Sequence, residues 1–297
     1  MTFVERVTCV SLVVISVAAE VASPAQQASI IGWVVADQEE IDVSRNELAD
    51  MNENWATWLK FTADHATGGE SRTFGAIRCS SVGVPMPLFN QAFVFDEPSP
   101  DDLAQATSWL SERNVPFWVS APGSVARELA DVAETAGLDP AAATMPGMAY
   151  APLADLPVEE DSEVEIFPVT QSAQLGEFAI VASEAFGAPL EAAGTLAPAS
   201  TLDDDRCSWF LGYVNGELAA CGQLLRTADV AGVYSIGVRE QFRRRGLGAA
   251  ITTAALIAGR DLGCTIGVLQ ASPMGEPVYD RMGFETVTQY HCFAPTG

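Results

Sequence analysis

A loop that combines three arginines with two glycines is the strongest chemical signal in the sequence. Residues 243–248 are Arg-Arg-Arg-Gly-Leu-Gly, and Arg239 brings the count to four arginines within seven residues. A glycine-rich turn that opens a helix offers N–H donors and the positive end of the helix dipole to an anion. In a chain of formal net charge −24, this cluster predicts a site for a phosphate-bearing ligand. The alternative is a tight turn with solvated arginines.

The elements around this loop are those that a phosphate cradle needs. A strand is predicted over 230–238, and apolar residues at helical spacing predict a helix that begins at Leu247. Further strands are predicted at 164–169, 208–214, 218–225, 266–270 and 284–293, and helices at 172–186 and 276–282. Asn215-Gly216 lies between two of these strands and is a strong hairpin signal. The fold class is therefore α/β, a mixed sheet with helices on its faces.

Two motifs together resemble the GNAT superfamily of N-acetyltransferases. Arg243, Gly246 and Gly248 match the family motif Q/R-x-x-G-x-G/A, and residues 279–284 are similar to its Y-x-x-x-G-F element. The resemblance covers about residues 163–297. It implies a GNAT-like acyl-CoA N-acyltransferase fold, with acetyl-CoA as the acetyl donor and no metal.

The resemblance also implies roles for individual residues. Pyrophosphate would bind the amides of 243–248, and pantetheine would pair with the strand edge at 236–238. The predicted cofactor-binding residues are Ile236, Gly237, Val238, Arg243, Arg244, Arg245, Gly246, Leu247, Gly248, Ala249 and Ser272. Tyr279 matches the family's general acid, and a packing role is its alternative. Ser272 would bond the cofactor or position Tyr279, or else cap the next helix.

A general base cannot be assigned from the sequence. An amine must lose a proton to attack a thioester. Many family members carry a glutamate on the strand that precedes the loop, where this chain offers Tyr234 and Ser235. Asp229 and Glu217 lie near strand ends, where a solvated role is the simpler interpretation. A water relay or a partly neutral amine would need no dedicated carboxylate.

The resemblance implies an acyltransferase that moves an acetyl group to a primary amine of a small molecule or peptide. The acidic surface favours a cationic acceptor. Trp209, Phe210 and Phe186 would line the acceptor site or pack in the core. The competing hypothesis is a non-catalytic acetyl-CoA-binding regulatory module, because the strand before the loop lacks a carboxylate. For the oligomeric state, the sequence leaves a homodimer as one alternative.

The first half of the chain repeats the order of elements without the loop. Helices are predicted at 101–113 and 124–136, and strands at 116–120 and 144–151. Residues 119–123 parallel 270–275 at an offset of about 151 residues, as a duplication would give. The sequence thus predicts two tandem copies: a degenerate one over 40–152, an acidic linker over 153–165, and the acetyltransferase domain over 163–297.

The composition excludes several classes of protein. With 39 acidic and 15 basic residues, Lys60 being the one lysine, the surface repels nucleic acid. The same balance resembles halophile proteins, and an acidic mesophile proteome is the alternative. Six scattered cysteines without a C-x-x-C pair, and two histidines, predict no metal site. The cysteines are predicted to be reduced thiols, which indicates a cytoplasmic location.

The first 35 residues predict a non-globular extension. Arg6 precedes an apolar run over 7–19 that has the character of a short secretory signal. The run is too short to span a membrane. An overextended start, with initiation nearer Val34 or Met51, is the favoured interpretation, and a disordered tail is a third.

Overall fold

A computed structural model describes residues 45–157 and 164–296 as two α/β halves that share one sheet. The predicted fold class, a mixed sheet with helices on its faces, is confirmed. The predicted extension over 1–35 and the centre of the expected linker, 158–163, lie outside the described residues.

Within residues 45–157, the N-terminal half contains three helices and five strands. These are α1 Arg45–His65, β1 Glu70–Phe74, β2 Ile77–Ser81, β3 Asn90–Val94, α2 Pro100–Ser111, β4 Trp118–Pro122, α3 Gly123–Ala133 and β5 Leu138–Tyr150. The helices and strands predicted in this half are present with shifted ends. Helix α1 was not predicted, because the buried Asn52 and Asn54 interrupt its apolar stripe.

The C-terminal half follows the predicted order of elements closely. It contains β6 Glu165–Pro168, α4 Ser172–Phe186, α5 Leu190–Thr195, β7 Cys207–Val214, β8 Glu217–Thr227, β9 Val230–Val238, α6 Leu247–Asp261, β10 Ile266–Gln270, α7 Glu276–Met282 and β11 Glu285–Pro295. The hairpin between β7 and β8 is confirmed: Asn215 and Gly216 have φ of 53° and 78°. Positive φ at both central residues is the requirement of a type I′ turn. Helix α5 was not predicted.

The two halves exchange their last strands. The sheet has eleven strands in the order β1-β2-β3-β4-β11-β5-β10-β9-β8-β7-β6. Strand β11 of the C-terminal half pairs with β4 and β5, and β5 of the N-terminal half pairs with β11 and β10. Each half therefore depends on the other to complete its sheet.

The segment predicted as a linker, 153–165, begins with two leucines that pack in the core. Leu153 and Leu156 are buried, and the Leu153 N–H donates to the carbonyl of Thr265 over 2.9 Å. These two leucines belong to the core, whereas Ala154, Asp155 and Pro157 are exposed. The linker over 153–165 stays a prediction.

Helix α1 fastens the N-terminal half to the strands of the C-terminal half. The fully buried Asn54 side chain donates from Nδ2 to the carbonyl of Leu225 over 3.1 Å and to Thr227 Oγ1 over 2.8 Å. Its Oδ1 accepts a hydrogen bond from the Tyr234 hydroxyl. Trp58 Nε1 adds a 2.9 Å bond to Gln223 Oε1. Because Tyr234 lies on β9, α1 helps to position the strand that borders the site.

Candidate functional site

Strands β9 and β10 run together at one end and separate at the other. Their parallel pairing joins 230–232 to 266–268 and goes no further. Beyond it, β9 stays paired with β8 up to Val238, and β10 stays paired with β5 up to Gln270. A bulge on β9, where Ser235 has φ of 53°, bends the strand away. The divergence opens a cleft between two adjacent strands of the sheet.

The cleft is large and gathers all the residues predicted to bind the cofactor, together with the predicted general acid. Its volume is about 1430 Å³. The cleft is lined by Ile236, Gly237, Val238, Arg243, Arg244, Arg245, Gly246, Leu247, Gly248, Ala249, Ser272 and Tyr279. Their common location agrees with the prediction, while their individual roles stay predictions.

The arginine-glycine loop places a helix N-terminus at the mouth of the cleft. Gly246 is the N-cap of α6 and has φ of 81°, a left-handed conformation that glycine adopts without strain. The first intrahelical bond runs from the Ala250 N–H to the Gly246 carbonyl over 3.0 Å. The N–H groups of Leu247, Gly248 and Ala249 precede that bond, so the turn presents donors of the kind that an anion requires.

The four arginines of the cluster divide into two pairs. Arg239 donates to both carboxylate oxygens of Glu184, at 2.6 and 3.0 Å. Arg243 donates to the carbonyls of Val238 and Ala185 at 3.2 and 3.3 Å. These two side chains brace the loop against β9 and α4, whereas Arg244 and Arg245 are exposed at the cleft. The predicted basic patch therefore contains fewer outward-facing cations than the sequence suggested.

Tyr279 lies buried on α7 and lines the cleft. Its ring packs edge-on against Phe284 with centroids 5.7 Å apart. Burial raises the pKa of Tyr279 to about 12, with a smaller opposing effect from the Thr252 hydroxyl. Tyr279 therefore keeps its proton at neutral pH, as an acid must. Ser272 Oγ accepts the Gly275 N–H over 3.0 Å in the turn before α7, and the N-cap of α7 is Gly275 itself. The roles predicted for Ser272 stay predictions.

Among residues 45–157 and 164–296, the walls of the cleft contain no carboxylate and no histidine. The Tyr234 hydroxyl is committed to Asn54, and burial raises the pKa of Tyr234 well above its usual range. Asp229 accepts from Thr265 Oγ1 over 2.9 Å at the paired end of β9, away from the cleft.

The three aromatic residues considered for the acceptor site lie in two different places, the core and the cleft. Trp209 is core: it packs on Phe178 at 4.6 Å and donates to Thr201 Oγ1 over 3.0 Å. Phe210 is also buried in the core, whereas Phe186 lines the cleft. The sequence prediction missed a wall that comes from the N-terminal half: Trp55, Trp58, Met86, Leu88, Phe89 and Met145. More than a hundred residues separate most of these from the loop, so no local pattern could reveal them.

The N-terminal half has no equivalent of the cleft in its described residues. Strand β3 extends just one residue, Val94, past its pairing with β4. The N-terminus of α2 is capped internally, because Ser99 Oγ accepts the Asp102 N–H over 3.1 Å. Asp101 and Asp102 add negative charge in the first turn. A phosphate would meet carboxylates where the other half offers arginines.

Other kinds of site are not evident in the structure. No group of three or more His, Cys, Asp or Glu side chains that could hold a metal is found among the residues described. The five described cysteines are free thiols. None of the described helices is long and apolar enough to cross a membrane.

Comparison with known proteins agrees with this geometry. Residues 178–284 match the family model of the acetyltransferase (GNAT) family. The chain resembles the structure of a GCN5-related N-acetyltransferase from Kribbella flavida at 18% identity and a TM-score of 0.62, over 84% of this chain and 95% of that chain. The structure of a GCN5-related N-acetyltransferase from Sphaerobacter thermophilus matches at 17% identity and a TM-score of 0.52, over 74% of this chain and 76% of that chain. A sequence comparison with curated proteins gives no match.

A third structure bears on the tandem arrangement. A tandem GNAT protein from the clavulanic acid biosynthesis pathway matches at 14% identity and a TM-score of 0.52, over 83% of this chain and 94% of that chain. At such identities the likeness concerns the fold alone. It agrees with the prediction of two tandem copies.

Proposed function

Because the chain carries a domain of the acetyltransferase (GNAT) family over residues 178–284, we propose that it transfers an acetyl group from acetyl-CoA to an amine. The observation that carries this proposal is that β9 and β10 diverge and that α6, whose N-cap is Gly246, begins at the cleft between them. A thioester in the cleft would have a free strand edge on one side and a helix N-terminus at the mouth. Because its donor is a cytosolic thioester, the protein would act in the cytoplasm.

The cofactor would bind in an extended form along the cleft. Its pyrophosphate would accept N–H donors of residues 246–249, and Arg244 and Arg245 would add positive charge. Its pantetheine would pair with residues 236–238 on the edge of β9 that β10 leaves. Arg243 would act indirectly, since its guanidinium holds the loop to β9 and α4.

The transfer requires one bond to form and one to break. The amine nitrogen would attack the thioester carbonyl carbon, and N–H groups near 236–238 would stabilise the oxyanion. When the C–S bond breaks, Tyr279 would give its hydroxyl proton to the departing sulfur. Tyr279 would regain a proton from the acylated nitrogen, directly or through water. The products are an amide and free CoA.

The described wall residues include no carboxylate or histidine that could act as a general base. That same observation supports the second candidate function, a non-catalytic acetyl-CoA-binding module. The two candidates agree on cofactor binding and differ on turnover.

Native mass spectrometry with acetyl-CoA tests the binding site. We expect one cofactor per chain and loss of binding in Gly246→Asp. Gly263→Asp is the matched control: Gly263 has φ of 91°, open space around its Cα, and a position at the other end of α6. Two cofactors per chain, or equal binding by both variants, would contradict the assignment.

Thiol release across a panel of amines tests catalysis. Tyr279→Phe should lower kcat by about a hundredfold or more, the usual contribution of a proton donor, and leave cofactor binding intact. Tyr213→Phe removes another tyrosine hydroxyl outside the cleft, which donates to Glu177, and should not change kcat. Cofactor binding without turnover of any amine would favour the non-catalytic module.

A further inference from the structure

A fully buried threonine lies next to the residue proposed as the general acid. Thr252 is on α6, is 0% exposed and is not a wall residue of the cleft, whereas Tyr279 lines the cleft. We propose that Thr252 is a positioning residue for acetyl transfer: its hydroxyl donates a hydrogen bond to the Tyr279 oxygen as that oxygen gives up its proton. The proposal rests on the proposed function and adds a residue that acts through Tyr279.

The Thr252 hydroxyl has not made the bond that a helical threonine usually makes. Such a hydroxyl commonly donates to the carbonyl four residues earlier, and Thr62, Thr107 and Thr195 do so over 2.9, 2.9 and 3.0 Å. Thr252 Oγ1 is buried and makes no well-aligned hydrogen bond to any protein group within residues 45–157 and 164–296. A buried hydroxyl without a partner destabilises a fold, so this unmade bond calls for an explanation.

The Tyr279 hydroxyl is within reach of Thr252, because α6 and α7 pack in one hydrophobic cluster. The Thr252 hydroxyl lowers the pKa of Tyr279 against the larger, opposite effect of burial. A neutral neighbour has this effect when it donates a hydrogen bond to the phenolate, so Thr252 is the donor. The Tyr279 ring is held in place: it packs edge-on against Phe284 at 5.7 Å, and a Cβ at Gly275 would lie 2.9 Å from its Cε2.

The bond forms as Tyr279 loses its proton. When the CoA sulfur takes that proton, the Tyr279 O–H bond breaks, an S–H bond forms, and negative charge is left on Tyr279 Oη. The Thr252 hydroxyl rotates and donates to this oxygen while it keeps its own O–H bond. Tyr279 then regains a proton from the acylated nitrogen, and no further reactant is needed.

Such a bond acts on the rate and leaves cofactor binding alone. Burial raises the pKa of Tyr279 to about 12, and an ordinary thiol has a pKa of about 8.5, so proton transfer to the thiolate is uphill. A donor that stabilises the phenolate lowers this barrier. Because the bond is made in the transition state and is absent beforehand, it raises kcat without changing KM for acetyl-CoA.

Thr252→Val removes the hydroxyl and keeps the shape of the side chain. We expect kcat to fall about three- to tenfold, the effect of one hydrogen bond, with KM and Kd for acetyl-CoA unchanged. The variant should melt at or above the wild-type temperature, because it removes a buried hydroxyl that has no partner. Thr252→Ser keeps the hydroxyl and should retain kcat within about twofold of the wild type.

Thiol release from acetyl-CoA measures kcat with three acceptors of different chemistry: glycylglycine, benzylamine and spermidine. The variants are compared on the acceptor that the wild type acetylates fastest. Thermal melting and calorimetric titration with acetyl-CoA are done on the same preparations.

Thr62→Val is the matched control for the loss of a buried threonine hydroxyl from a helix. Thr62 is 4% exposed, and its hydroxyl donates to the Trp58 carbonyl. This variant loses a hydrogen bond that is already made, so it should melt at a lower temperature and keep the wild-type kcat. That pattern is the reverse of the one expected for Thr252→Val. If both variants lower kcat equally, the effect is not specific to Thr252 and the proposal is wrong.

The double variant Thr252→Val/Tyr279→Phe shows whether Thr252 acts through Tyr279. Its kcat should equal that of Tyr279→Phe, because the oxygen that accepts the bond is absent in both. The same fold-loss from Thr252→Val in both backgrounds would refute action through Tyr279. A lower melting temperature of Thr252→Val would show that its hydroxyl is bonded at rest, which also overturns the proposal.

The outcomes distinguish this inference from the proposed function. If Tyr279→Phe lowers kcat and Thr252→Val does not, Thr252 has no such role and acetyl transfer stands. If Tyr279→Phe keeps the wild-type kcat, the acid named in the proposed function is wrong, and this inference fails with it. If the wild type binds acetyl-CoA and acetylates none of the three amines, the non-catalytic module is favoured and the inference is refuted.

Discussion

Replacing Asn54 should weaken the whole molecule, because this one side chain joins the two halves. Asn54 is fully buried, donates to the Leu225 carbonyl and Thr227 Oγ1, and accepts from the Tyr234 hydroxyl. In Asn54→Ala all three hydrogen bonds are lost. The Tyr234 hydroxyl, on a residue that is 4% exposed, loses its acceptor, and the Leu225 carbonyl loses a donor.

The expected cost follows from those two groups. A buried polar group left without a partner costs about 1–3 kcal/mol. Two such groups give about 2–6 kcal/mol for Asn54→Ala. This is a large part of the ~5–15 kcal/mol that usually stabilises a folded protein.

Urea unfolding followed by tryptophan fluorescence and far-ultraviolet circular dichroism measures this cost. Because β5 and β11 are exchanged between the halves, both signals should show one transition, which moves to lower urea in Asn54→Ala. The double variant Asn54→Ala/Tyr234→Phe should regain about 1–3 kcal/mol, since it removes the orphaned hydroxyl. A loss below about 1 kcal/mol, no recovery in the double variant, or two separate transitions would refute the reasoning.

Three further predictions concern the loop and the buried thiols. Arg244→Gln should weaken acetyl-CoA several-fold, and the difference should shrink in high salt; an unchanged Kd in calorimetry would contradict a role in binding. Gly246→Ala, at φ of 81°, should cost about 1–2 kcal/mol in urea unfolding, and no loss would mean that the loop can rearrange. Burial raises the pKa of Cys292 to about 12 and also raises the pKa of Cys221. Above the unfolded value of about 8.5, the unfolded chain binds fewer protons than the folded chain. Stability should then fall by about 1.4 kcal/mol per pH unit for each thiol, and equal stability at pH 8.5 and 9.5 would contradict this.

The sequence by itself determined the local geometry of the loop and its strands. A glycine at positive φ before an apolar helix, and Asn-Gly between two strands, are short-range features whose cause lies in the residues concerned. Strand β9, the start of α6 and the bounds of α7 were therefore predictable, and they bring Gly246 and Tyr279 to one cleft.

The tertiary structure alone decided how the two halves combine and what faces the cleft. The exchange of β5 and β11, the bracing roles of Arg239 and Arg243, and the aromatic wall contributed by α1 depend on contacts between residues far apart in the chain. Such contacts leave no periodic pattern in the sequence, because a backbone carbonyl or an aromatic ring can pack against many different partners. The partner is decided by how all the strands assemble into the sheet.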